Sequence, residues 1–202
     1  MRVYPMIAAT EPQLPQLLAE GPYRTDDDKL FIRSVKIYAD GALGSRGAAL
    51  LKPYSDDHDN HGLLVTSVEN IRKLYQLIIP FGFQINTHAI GDRANRIALD
   101  AFAEFYQTLG GRNLRNRNEH AQIVNVDDLQ RFKDLNIIAS MQPTHATSDK
   151  NMAEDRLGKA RMKGAYAWHT LLEQGTIIAA GSDFPVELAN PFYGLHAAVT
   201  RQ

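Results

Sequence analysis

Short apolar, β-branched runs alternate along this chain with segments whose apolar residues recur at helical spacing. The strand-like runs are Val3–Ala8, Ser34–Ala39, Phe83–Thr87, Asn116–His120, Ile137–Met141 and Thr176–Ala180. Several are apolar without clean alternation, the pattern of strands covered on both faces by helices. Between them, Ser67 is placed to cap a helix whose Ile71, Leu74, Tyr75 and Ile78 fall on one face, with Pro80 and Gly82 as its stop. After Asp92, Ala98, Ala101, Phe102, Phe105 and Leu109 recur at helical spacing until Gly110 and Gly111. Asn125 precedes an acidic helix start with Asp127, Leu129 and Phe132, and Leu171 and Leu172 lie in a helix ended by Gly175. This alternation predicts an α/β fold on a parallel sheet, in roughly six βα units.

Two connections exceed the usual few residues: Asp40 to Thr66, and Gln142 to about Ala165. Both follow strands, on the side where parallel α/β proteins keep their chemistry. They are expected to be substrate loops or lids, with variable surface insertions as the competing account. No Pro- or Ser-rich linker divides the chain, so residues 1–202 are expected to form one domain.

Composition narrows the chemistry. The 202 residues are 44% hydrophobic and 22% charged, as in ordinary globular proteins, with a formal net charge of -1. No basic stripe with interleaved aromatics points to nucleic acid, and no apolar run is long enough to span a bilayer. The start lacks the pattern of a signal peptide; this favours the cytoplasm without fixing it, because the start need not be the natural one. The absence of cysteine excludes disulfides, thiolate zinc sites and cysteine nucleophiles. Any metal must be held by His, carboxylate or a modified side chain.

Polar residues with that capacity fall at strand ends. His88 and His120 each end a strand, Asp183 follows the last one, and Lys36 interrupts the apolar run Ser34–Ala39. His145 lies in the unit between His120 and Asp183. Singly, each has an ordinary explanation: a bonded strand-end histidine, a capping Gly-Ser-Asp turn, a lysine reaching for solvent. Jointly, a barrel would bring them to one mouth. Neutral imidazoles bind zinc well, a carboxylate beside water can move its proton, and a buried lysine can react with carbon dioxide to become an anionic carbamate.

The motifs that carry these residues are Val35-Lys-Ile-Tyr-Ala-Asp-Gly-Ala-Leu-Gly-Ser-Arg46, Thr87-His-Ala-Ile-Gly-Asp92, Asn118-Glu-His-Ala-Gln122, Ser140-Met-Gln-Pro-Thr-His145 and Ala180-Gly-Ser-Asp-Phe-Pro-Val186. Together they resemble the amidohydrolase superfamily, in particular the branch of N-substituted formamide deformylases and exoenzyme-regulator-like hydrolases. The resemblance implies a TIM-type (β/α) barrel carrying one or two divalent metals, usually zinc. It implies hydrolysis of an amide-like C–N bond in a small molecule, an N-acyl or N-formyl amine or a cyclic amide, by a metal-activated hydroxide. On that resemblance Lys36 would be a carboxylated bridging lysine, His88 and His120 metal ligands, and Asp183 both a metal contact and the general base. His145, Arg161, Asp40 and Arg46 would contact substrate, with His145 the next candidate for the base.

One departure stands out. The family carries a His-x-His pair after its first barrel strand, and none occurs here. His58 and His61 lie among Asp56, Asp57 and Asp59 and are expected to be solvated. The chain therefore reads as the last six or so βα units of an incomplete barrel, expected to bind one metal at best and to pair or self-associate through exposed strand edges. Two other readings stand beside the hydrolase: a catalytically inactive, barrel-derived regulatory or interaction protein, and an open α/β nucleotide-binding domain. The last is weakened because no Gly-x-Gly-x-x-Gly follows an early strand.

Overall fold

All six expected strands pair into a single parallel sheet in the computed structural model, which describes residues Met1–Gln202. In chain order the elements are β1 (Met6–Ala8), α1 (Leu14–Glu20), β2 (Tyr23–Arg24), β3 (Phe31–Ile32), β4 (Ser34–Tyr38), α2 (Val68–Ile78), β5 (Gln84–Ala89), α3 (Asp92–Thr108), β6 (Arg117–His120), α4 (Leu129–Asp134), β7 (Ile138–Met141), α5 (Pro143–Ser148), α6 (Ala153–Leu157), α7 (Trp168–Glu173), β8 (Ile178–Ala180) and α8 (Pro191–Thr200). The sheet order is β1-β4-β5-β6-β7-β8, with β1 and β8 at its two edges. Each strand lies beside its predecessor with helices on the crossovers, which is the wall of a TIM-type barrel, open rather than closed. The short β2–β3 ladder and α1 are additions that the periodicity did not predict. No helix is long and apolar enough to cross a membrane.

The helices form where the caps and stripes lie. Ser67 Oγ accepts from the Asn70 amide at 3.2 Å, and α2 buries Ile71, Tyr75 and Ile78. Gly82, at φ +75°, then supplies the left-handed turn into β5. Behind the sheet, Tyr75 and Phe102 pack with ring centres 4.5 Å apart, and the Tyr75 hydroxyl pairs with Thr87 Oγ1 at 2.7 Å. Truncating a fully buried ring such as Phe102 would cost about 3–5 kcal/mol.

Register shows that the sheet is not apolar on both faces. Ser34 pairs with Gln84, Lys36 with Asn86, Tyr38 with His88, Asn86 with Arg117 and His88 with Glu119. Registered neighbours point to the same side, so one face carries this polar set, including the Arg117–Glu119 ion pair at 2.6 Å. The alternate positions Val35, Ile37, Ile85 and Ala139 belong to the core packed under the helices. The expectation of two helix-covered faces is corrected: the side opposite the helices is the polar inner surface of a barrel wall.

The two long connections are built-in structure rather than free loops. Residues 142–165 contain α5, α6 and a 3-10 turn at Arg161–Gly164. They pack on the 40–66 segment to form a second core that includes Leu43, Leu50, Tyr54, Ile123, Leu157 and Tyr166. Asp40 ties this cap to the sheet, accepting from the amides of Ala49 (2.8 Å), Ile90 (2.9 Å) and Gly91 (2.8 Å). A Cβ on Gly91 would lie 2.0 Å from the Ala49 carbonyl oxygen, so only glycine permits the approach. Reading these segments as lids therefore gives way to a packed rim.

Candidate active site

Three histidines and three carboxylates, Asp149, Asp183 and Glu187, meet Lys36 in a cavity of roughly 500 Å³ at the C-terminal ends of the strands, lined also by Tyr38, Leu43 and Gln122. The His88 and His120 rings stand 4.5 Å apart at 69°, and the His145 ring stacks 5.9 Å beyond His120. Lys36, His88, His120, His145 and Asp183 are thus brought together, as the sequence predicts.

The two strand-end histidines arrive by different routes. His88 is on the inner face of β5 by simple alternation, in register with Tyr38, whose ring centre is 5.4 Å away. His120 occupies the opposite phase of β6, paired with Ala89, where the pleat alone would turn it toward the helices. Its backbone is left-handed, φ +73°, and so is that of Ala121, φ +42°. This break in the pleat, costly for non-glycine residues, accompanies the ring's placement in the cavity.

Each ring has a neighbour on one nitrogen. His120 Nδ1 pairs with Gln142 Oε1 at 2.9 Å, and His88 Nε2 lies 3.6 Å from Asp40 Oδ1, too far for a good hydrogen bond. That buried Nε2 has no hydrogen-bond partner, and neither has His145 Nε2. Burial first, then the positive charge of its neighbours, lowers His88 to about 3 and His120 to about 4, so both rings are neutral at pH 7. Burial also lowers Lys36, opposed by Glu119 and Asp183. Burial pushes Asp40 up to about 7, against the pull of its three amide donors.

Three expected substrate contacts are placed elsewhere. Asp40 is fully buried in the knot described above. Arg46 pairs with Asp56 through two bonds of 3.1 and 3.0 Å. Arg161 donates to the carbonyls of Leu157, Lys52 and Pro53 and to Ser55 Oγ, stitching the two long connections together. Their side chains are spent on holding the rim, and none of the three lines the cavity. His58 and His61 are exposed, as expected. Sequence reasoning gave no role to Gln142, Gln122, Tyr38 or Asp149; the first three stand inside quoted motifs, which was the available signal.

The donor set fits a divalent ion in part. Neutral imidazoles are the form an ion requires, and Lys36 and Asp183 share their cavity. No three His, Asp or Glu side chains converge closely enough to form a ready site by themselves.

Residues 5–202 match the profile described as "Amidohydrolase family". The chain is 39% identical over 169 residues to the "Putative amidohydrolase YtcJ" of Bacillus subtilis (strain 168), covering 84% of this chain and 31% of that protein. It is 36% identical over 173 residues to the "Protein LONG AFTER FAR-RED 3" of Arabidopsis thaliana, covering 85% of this chain and 30% of that protein. An uncharacterized metal-dependent hydrolase from Pyrococcus furiosus superposes with a TM-score of 0.86 at 35% identity, over 100% of this chain and 41% of that one. The chain thus spans about a third of the length of the curated relatives it matches.

Proposed function

The chain belongs to the amidohydrolase family, and from that premise we propose that it carries part of the active site of a metal-dependent hydrolase acting on an amide-like C–N bond. The observation that carries this reading is the pair of buried, neutral imidazoles, His88 and His120, 4.5 Å apart at the ends of adjacent parallel strands. His88, His120 and Lys36 would hold a divalent ion, with Asp183 beside them. Such an ion supplies Lewis acidity toward a carbonyl oxygen and lowers the pKa of water.

The protein's own groups do the rest. Gln142 fixes the His120 ring through Nδ1 and leaves Nε2 for the cavity. Asp183 accepts a proton from the attacking water and returns it to the departing nitrogen as the C–N bond breaks, giving a carboxylic acid and an amine. His145 stands 5.9 Å from His120 and lines the same cavity. The finer reading is a hydrolase of N-acyl or N-formyl amines, supported by the motif set around Lys36, His88 and His120. Zinc is among the metals that imidazole donors suit.

The test is elemental analysis of the full-length protein together with its Lys36→Ala variant, and hydrolysis of N-acyl and N-formyl amines. Stoichiometric metal that falls in the variant, with partial recovery on adding short carboxylic acids, supports the reading and a carboxylated Lys36. A metal-free protein without turnover favours a non-catalytic, barrel-derived protein, a reading that draws on the lack of three converging His, Asp or Glu side chains.

A further inference from the structure

The cavity carries three carboxylates, Asp149, Asp183 and Glu187, and its one Lys or Arg is Lys36. Asp149 is the one whose orientation is fixed by a buried clamp. Gln122 Nε2 donates to Asp149 Oδ2 at 2.7 Å, the Tyr166 hydroxyl donates to the same oxygen at 2.6 Å, and Gln122 Nε2 also reaches the Tyr166 hydroxyl at 3.0 Å. Gln122 and Tyr166 are 5% and 4% exposed, so neither donor competes with bulk water. Burial and the neighbouring carboxylate push the Tyr166 hydroxyl up, which keeps it a donor.

A purely structural carboxylate would be explained by Oδ2 alone. Asp149 Oδ1 receives no donor from the protein, and the residue faces the cavity. Asp149 also follows His145 by one helical turn at the end of α5, its amide bonded to the His145 carbonyl at 2.9 Å. Asp149, the residue that caps α5, therefore stands one helical turn, about 5 Å along the axis, from His145. Glu187, held by Ser148 Oγ at 2.5 Å, adds a further carboxylate to the same cavity, and Leu43 and Val186 are among its apolar lining.

We propose that Asp149 is a specificity-determining residue whose free oxygen receives an ammonium or guanidinium group of the substrate, one helical turn from His145. This rests on the hydrolase reading above and names its substrate class: amides that also carry a cation. A charge-assisted hydrogen bond in such a partly enclosed site is worth about 10–100-fold in affinity.

The experiment uses the full-length, metal-loaded protein with two probes of equal size, mono-N-acetylated diaminobutane and its neutral counterpart N-pentylacetamide. Binding is measured by calorimetry and turnover by amine release. The expected result is a preference for the cationic probe of about 10–100-fold in affinity and in KM. In Asp149→Asn the ratio collapses to within about threefold, and Tyr166→Phe, which loosens the clamp but keeps the carboxylate, falls between. A wild-type protein that binds the cationic probe no better than the neutral one, or not at all, overturns the proposal. So does an Asp149→Asn variant that weakens both probes in equal ratio, the mark of a structural carboxylate. Cation preference in binding without hydrolysis of either amide upholds Asp149 and removes the hydrolase reading; hydrolysis without preference does the reverse.

Discussion

Replacing Asp40 by alanine tests whether the rim is held as the hydrogen bonds indicate. The carboxylate accepts from three buried amides, those of Ala49, Ile90 and Gly91, and its side chain has no exposed surface. Each buried N–H left without an acceptor costs about 1–3 kcal/mol, so the three together reach roughly 3–9 kcal/mol. Part of this is returned at pH 7, because burial already opposes ionisation of a carboxyl raised from 3.8 to about 7, and water can enter the vacated space. The expected net loss is about 2–4 kcal/mol, which for a chain of this size lowers the melting temperature by roughly 4–16 °C. Thermal melts followed by far-ultraviolet circular dichroism at pH 7 measure it. Gly91→Ala strikes the same junction sterically, with its new Cβ 2.0 Å from the Ala49 oxygen, so the double variant should lose less than the sum of the two. A fall of under about 2 °C for Asp40→Ala, or full additivity, would refute the idea that this knot holds the rim to the sheet.

Other outcomes follow from the site. Gln142→Leu removes the partner of His120 Nδ1 at nearly constant volume and should weaken metal binding by about 10–100-fold in competition with a chelator; unchanged affinity would leave Gln142 without a positioning role. Asp183→Asn in the full-length enzyme should lower turnover by about 10²–10⁴-fold with folding retained, and near-normal turnover would move the base to His145. In metal-free protein, His88 and His120 have folded pKa values of about 3 and about 4 against the ordinary 6.5, so the unfolded chain takes up their protons first. Their contribution is present above pH 6.5 and lost as the pH falls toward 4 and 3, whereas Asp40, raised to about 7, loses stability as the pH rises from about 4 to 7. Asp92, also raised by burial, acts in the same sense as Asp40, so the histidine effect is read as a difference: going from pH 7 to pH 5 should change the urea midpoint less unfavourably in His88→Gln than in the unaltered chain, and an equal change would contradict these protonation states.

The sequence by itself determined the strands, their order and the chemistry at their ends. Helical stripes such as Ile71, Tyr75 and Ile78 and stops such as Gly82 are local signals, written within a few turns of chain. A parallel sheet of consecutive strands then sends strand-end residues to one side, which is why Lys36, His88, His120 and Asp183 could be grouped before any coordinates. The finer decisions needed contacts between distant segments. Arg46 and Arg161 looked like substrate contacts because they are charged and stand in long connections; their partners, Asp56 in one case and Ser55 with the Lys52 and Pro53 carbonyls in the other, are chosen by how those connections pack. Asp40 became a backbone knot because Ala49 and Gly91 approach closely there, a meeting no local pattern encodes. His120 sits in the wrong phase for the inner face, and only the left-handed backbone at its own position and at Ala121 resolves that conflict. Asp149 gained its fixed orientation from Gln122 and Tyr166, 27 and 17 residues away. Periodicity is a property of neighbours in sequence, whereas hydrogen-bond partners and left-handed turns at strand ends are settled by tertiary packing.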